Sequence, residues 1–114
     1  MNQPTAAQTA TIAQTYRLLG DMTRLRILLA CLPGPLPVNE IARRIDASQS
    51  LVSHHLRALR AARLVRGNRQ NRQVLYQIDD DHIRRVLLDM IEHVVEPHDH
   101  ASDTDETASK GSVA

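Results

Sequence analysis

Apolar residues recur along this chain first at helical spacing, then in alternation, then at helical spacing again, and those periods predict the elements. Ala6, Ala7, Ala10, Ile12, Ala13, Tyr16 and Leu19 share one side of a first helix that closes at Gly20. Asp21 is placed to cap a second helix, Met22 to Leu32, whose LRILLACL is apolar almost all round and therefore central to the core; Pro33-Gly34-Pro35 ends it. A third helix starts near Pro37 with Val38, Ile41, Ala42 and Ile45 inward. After a turn at Asp46-Ala47, Ser48 caps a fourth helix, about residues 48–62, with Leu51, Val52, Leu56 and Leu59 inward.

The period then changes. Leu64-Val65-Arg66 and Val74 to Ile78 read as two strands, Val74, Tyr76 and Ile78 on one face, joined by the polar loop Gly67 to Arg72. The last helix, about residues 80–96, carries Ile83, Val86, Leu87, Met90, Ile91 and Val94 at i, i+3, i+4, i+7, i+8 and i+11, one stripe of the width that packs on a partner. The expected fold is mainly α with a small β-hairpin, one domain over 1–96, followed by a polar tail, 97–114, of disordered composition.

Two short helices joined by a tight turn, the second with small polar and basic residues at its start, match a helix-turn-helix. Its outer face offers Ser48, Gln49, Ser50, Ser53 and His54 to base edges and Arg57 nearer the phosphates. A polar hairpin with Arg69, Asn71 and Arg72 suits a wing laid along the DNA backbone.

Composition adds that the core must be aliphatic, because the 114 residues include two Tyr and no Phe or Trp. Such a small core gains from sharing an interface with a second copy. Cys31 is the single cysteine and rules out an internal disulfide or a Cys-x-x-Cys site. With no apolar run of about eighteen residues and no signal-peptide pattern, no membrane partner is expected and the location is expected to be cytoplasmic.

The net charge of +1 conceals a division that changes the picture more. Residues 1–78 hold eleven Arg against three acids, a balance of +8; residues 79–114 hold three basic residues against ten acids, a balance of −7. Between Asp46 and Asp79 there is no acid, while Arg57, Arg60, Arg63, Arg66, Arg69 and Arg72 recur every third residue. A merely solvated face would intersperse acids; this one points to a polyanion.

On the last helix, His82, Asp89, His93 and Glu96 line one flank of the apolar stripe. His82 and His93 share a face but lie about 16 Å apart at 1.5 Å per residue, so one helix cannot close them on an ion. Two copies crossing antiparallel about a two-fold axis bring His82 of one chain to His93 and Glu96 of the other, giving two sites per dimer. Asp80 can join only as a residue at or before the N-cap. The same residues also read as the polar flank of an amphipathic helix, with Asp79, Asp80 and Asp81 complementing the helix dipole.

The stretches LLGDMTRLRILL, SQSLVSHHLRALRAARLV and VLYQIDDDHI, together with this last helix, closely resemble the ArsR/SmtB family of winged-helix metal-sensing repressors over about residues 12–96. The resemblance implies a homodimer with Ile12, Tyr16, Ile83, Leu87, Met90, Ile91 and Val94 in its interface. It also implies a zinc-type site of Asp80, His82, His93 and Glu96, which fill all four of the family's positions on the last helix. The family's thiolate site needs cysteines where this chain has LPVNEIA, so soft-metal sensing is not implied. Asp46 and Asn71 stand where many members have Gly, and both types tolerate left-handed backbone.

The reading that follows is a repressor, not an enzyme and without a small organic substrate, that binds operator DNA when metal-free and releases it on binding Zn(II). Ni(II) or Co(II) sensing is the alternative, because His98 and His100 could extend the shell. A metal-binding assembly protein is the other, but it would not need a recognition helix and a wing together.

Overall fold

In the computed structural model, which describes residues 2–97, the elements run α1 Ala6–Leu19, α2 Met22–Cys31, β1 Leu36–Pro37, α3 Val38–Ile45, α4 Gln49–Ala61, β2 Val65–Gln70, β3 Gln73–Ile78 and α5 Asp81–Val95. The helix starts follow local chemistry. Thr5 and Gln8 form a reciprocal capping box ahead of α1, and the Asp21 carboxylate accepts the Arg24 amide at 3.0 Å ahead of α2. The Ser48 hydroxyl accepts the Leu51 amide at 3.1 Å ahead of α4. Asp46, at the end of α3, takes φ 56° and lets the chain turn directly into α4. Arg63, at φ 62°, does the same between α4 and β2, in a residue type that gives no hint of it.

The core lies between α2, α3, α4 and the base of the sheet. Ile27, Leu28, Ile41, Val52, Leu56, Leu59, Leu64 and Val65 are buried there, every one aliphatic, as the composition demands. Ile78 closes it from β3 and Leu87 from α5. Helix α1 buries none of its residues.

Besides Leu51, expected inward on α4 but 41% exposed, the structure corrects the sequence reading in three places. The sheet has three antiparallel strands, ordered β1-β3-β2, because Leu36 pairs with Tyr76 and Pro37 with Leu75. The expected loop from Gly67 to Arg72 is mostly strand: the ladder continues to Gln70 opposite Gln73, leaving Asn71 (φ 58°) and Arg72 as the turn. Backbone pairing needs no apolar side chain, so a polar hairpin tip can stay in register. Gly67 is required within it, since a Cβ there would meet Val74 Cγ1 at 2.8 Å and Tyr76 Cε1 at 3.2 Å. Third, Leu87, expected at a dimer interface, is 4% exposed and belongs to this chain's own core. Ile83 is half-buried against that core, while Val86, Met90, Ile91 and Val94 remain outside, Met90 57% exposed and Val94 68%. No helix among the described residues is long and apolar enough to cross a membrane.

Candidate DNA-reading surface and metal centre

Helix α4 is held by Val52, Leu56 and Leu59, so its opposite side is free to face outward. Gln49, Ser50, His54 and Arg57 are exposed there and Ser53 half-buried. Ser48 is exposed, but its hydroxyl is occupied as the cap. Arg69, Asn71 and Arg72 stand together at the exposed tip of the β2–β3 hairpin. The short helix–turn–helix of α3 and α4 and the hairpin thus present small polar residues on a helix and arginines on a tip, the combination that reads base edges and binds phosphates respectively.

Beside this surface the sequence reading missed His55, and it placed Arg66 simply among the arginines facing a polyanion. His55 points back toward the start of α2; its Nδ1 is buried without a hydrogen-bond partner, and burial pushes its pKa down despite the nearby Asp21 carboxylate. Its ring packs edge-on to His54, centroids 5.4 Å apart. The doubled histidine is the only sequence trace of this, and it does not say which ring turns inward. Arg66, though exposed like the rest of its arginine run, is tied within the chain, donating to the Asp79 carbonyl at 2.9 Å.

Helix α5 carries the other candidate chemistry. Asp80 caps it, its Oδ1 accepting the Ile83 amide at 2.9 Å, while Oδ2 lies 3.8 Å from Nδ1 of His82. The His82 side chain is 92% exposed. His93 and Glu96 lie further along the helix, both exposed. Among the described residues, no three His, Cys, Asp or Glu side chains of one chain gather where they could hold an ion. The structure therefore brings Asp80 and His82 together and leaves His93 and Glu96 at the far end; His98 and His100 lie outside the described residues. The donor types present, two imidazoles and two carboxylates, fit a borderline divalent cation such as Zn(II). Cys31 offers no alternative, since burial pushes its thiol up to about 11.

Next to this helix lie two apolar grooves. Ile12, Tyr16, Leu19, Ile83 and Val86 line one, between α1 and α5; Leu25, Leu29, Met90, Ile91 and Val94 contribute to the other, between α2 and α5. Arg84 anchors the first turn of α5 by donating from Nη1 to the Leu32 carbonyl at the end of α2.

The family model described as "Bacterial regulatory protein, arsR family" matches residues 21–66, from the N-cap of α2 into β2. The HTH-type transcriptional regulator NmtR of Mycobacterium tuberculosis is 40% identical over 94 residues, 82% of this chain and 78% of that protein. The solution structure of apo-NmtR superposes with a TM-score of 0.72 at 38% identity, covering 92% of this chain and 89% of that one. The AntR antimony-specific transcriptional repressor follows at a TM-score of 0.71 and 28% identity, covering 85% and 91%. Identity that extends from the helix-turn-helix through most of the chain, with the same winged architecture, makes this protein a member of the ArsR family of winged helix-turn-helix transcriptional regulators, and not an enzyme.

Proposed function

We propose that the protein is a homodimeric, metal-responsive repressor that holds a palindromic operator when metal-free and lets it go when Zn(II) occupies two symmetry-related sites. Each site takes Asp80 and His82 from one protomer and the partner's His93 and the partner's Glu96. The observation that carries this reading is the split of the donor set along α5. Asp80 and His82 stand side by side at one end, the other two donors lie about 16 Å away along the axis, and only an antiparallel second copy would unite them. The uncovered apolar side chains of α1 and α5, among them Ile12, Tyr16, Met90, Ile91 and Val94, supply a surface for that copy.

Bound Zn(II) would supply a positive charge that ties the carboxylates and imidazoles of the two protomers together. Affinity order alone would not exclude other divalent ions; a donor set limited to two imidazoles and two carboxylates is what would suit Zn(II). Because the α5 helices carry the ligands and the α4 helices read the half-sites, release requires a dimer arrangement whose two heads no longer match the half-site spacing.

His93→Asn tests this. The variant should bind DNA like the metal-free protein yet stay bound when Zn(II) is added, whereas the unmodified protein weakens by about 5–150-fold. Fluorescence anisotropy on a palindromic duplex selected by the protein from a random library measures both. Release of the variant at the same zinc concentration would show that His93 is no ligand or that the regulatory site lies elsewhere.

A further inference from the structure

Arg66 stands in the arginine-rich segment and is exposed, but its guanidinium is held by hydrogen bonds within the chain. Nη1 donates to the Asp79 carbonyl at 2.9 Å, and Nε donates to the Gln77 side-chain oxygen at 2.8 Å once that amide is oriented oxygen-first. The Asp79 amide donates to the Leu64 carbonyl at 3.1 Å. These bonds fasten the residue immediately before the α5 cap to the segment immediately after α4.

The covalent geometry makes the fastening consequential. The Asp79 carbonyl belongs to the peptide group that continues into Asp80, so the torsions of Asp79 and Asp80 aim it. Asp80 is the cap of α5 and a proposed ligand, held extended at φ −145° and ψ 173°. A turn of Asp80 about φ rotates the acceptor of the Arg66 bond, and such bonds weaken steeply away from linearity. Arg66 must then follow or lose its partner. It sits beside Val65, which is anchored in the core at 2% exposed, and on the same strand as Arg69 at the wing tip.

We propose that Arg66, oriented by Gln77, is the positioning residue that transmits the state of the α5 cap to the wing and the end of α4. The proposal rests on the reading of α5 as the metal-sensing helix. It names a route distinct from the other tie of α5, Arg84 to the Leu32 carbonyl, which leads instead toward the start of α3.

The test compares the full-length protein with Arg66→Lys, Gln77→Leu and Arg84→Gln, each on the library-selected duplex with and without Zn(II). Zinc affinity is read separately, by competition with a chromophoric chelator. In the unmodified protein, the NMR signal of the Arg66 Nε–H is followed through a zinc titration. Arg66→Lys and Gln77→Leu should bind zinc and, when metal-free, DNA within about fivefold of the unmodified protein, but the weakening by zinc should collapse to within about twofold of none. The Nε–H signal should move with zinc occupancy. Full zinc-induced release in both variants, or loss of release in Arg84→Gln alone, overturns the Arg66 route while leaving the metal reading intact. If the unmodified protein itself ignores zinc, the metal reading falls and this proposal with it. Where a variant fails to fold, the NMR arm decides: an Nε–H signal unmoved at zinc saturation overturns the proposal.

Discussion

The Asp80 carboxylate accepts the backbone amide of Ile83 at 2.9 Å, so the first proposed metal ligand is at the same time the N-cap of the helix that carries His82 and His93 and ends at Glu96. One carboxylate oxygen serves the helix and the other faces His82. Helix capping and the proposed ligation thereby meet at a single side chain, and substitutions can separate them.

Asn caps a helix about as well as Asp, whereas Ala forfeits about 1 kcal/mol. Asp80→Asn should therefore melt within a degree or two of the unmodified protein yet bind zinc more weakly, while Asp80→Ala should lose stability as well. Thermal unfolding and chelator competition, run on both, measure the two effects independently. Equal zinc affinity in Asp80→Asn would remove Asp80 from the ligand set.

Leu87 and Met90 lie on one stripe but face different neighbours, the first the chain's own core and the second solvent. Leu87→Ala should cost about 2–5 kcal/mol of protomer stability through the cavity it leaves. Met90→Ala should barely touch the protomer and instead weaken association, read as a shifted monomer–dimer equilibrium by sedimentation. Ile91→Asp, also on the outer stripe, should abolish the dimer and with it both tight DNA binding and stoichiometric zinc. A proven monomer that keeps tight zinc would contradict the intersubunit site.

Arg72 occupies the wing turn, and a phosphate contact made from there would carry no sequence information. Arg72→Ala should weaken binding to every duplex alike and lower the slope of log affinity against log salt by about one. Gln49→Ala should relax preference at a single operator position with the salt slope kept. The opposite assignment of effects would exchange their roles.

Burial holds His55 below the usual histidine range. Its neutral form is favoured in the folded state, so its contribution to stability is present above the unfolded value, about 6.5. It is lost as pH falls through the lower folded value, because the unfolded chain takes up the proton first. Denaturant midpoints measured for the unmodified protein should fall on acidification from neutral pH, and His55→Leu should show a shallower fall. An unchanged pH profile in the variant would mean that the ring is hydrated in solution.

Periodicity placed the helices because an amphipathic stripe is a property of one segment, and the caps were legible because Asp21, Ser48 and Asp80 act on amides only a few residues away. The left-handed turns at Asp46 and Asn71 were suggested by the family resemblance, since both stand where many members have Gly and both types tolerate that backbone; Arg63 was not, since nothing in arginine favours that conformation. The acid-free arginine segment and the spacing of His82 and His93 also belong to the sequence. Strand β1 was invisible, because two residues hold no period and become a strand only when Tyr76 and Leu75 come alongside. The bond of Arg66 to the Asp79 carbonyl and the burial of Leu87 were likewise decided by tertiary structure. A sequence marks which side of a helix is apolar and which residues are charged; which apolar residue the core covers, and which charge finds a carbonyl, depends on elements brought up from elsewhere in the chain.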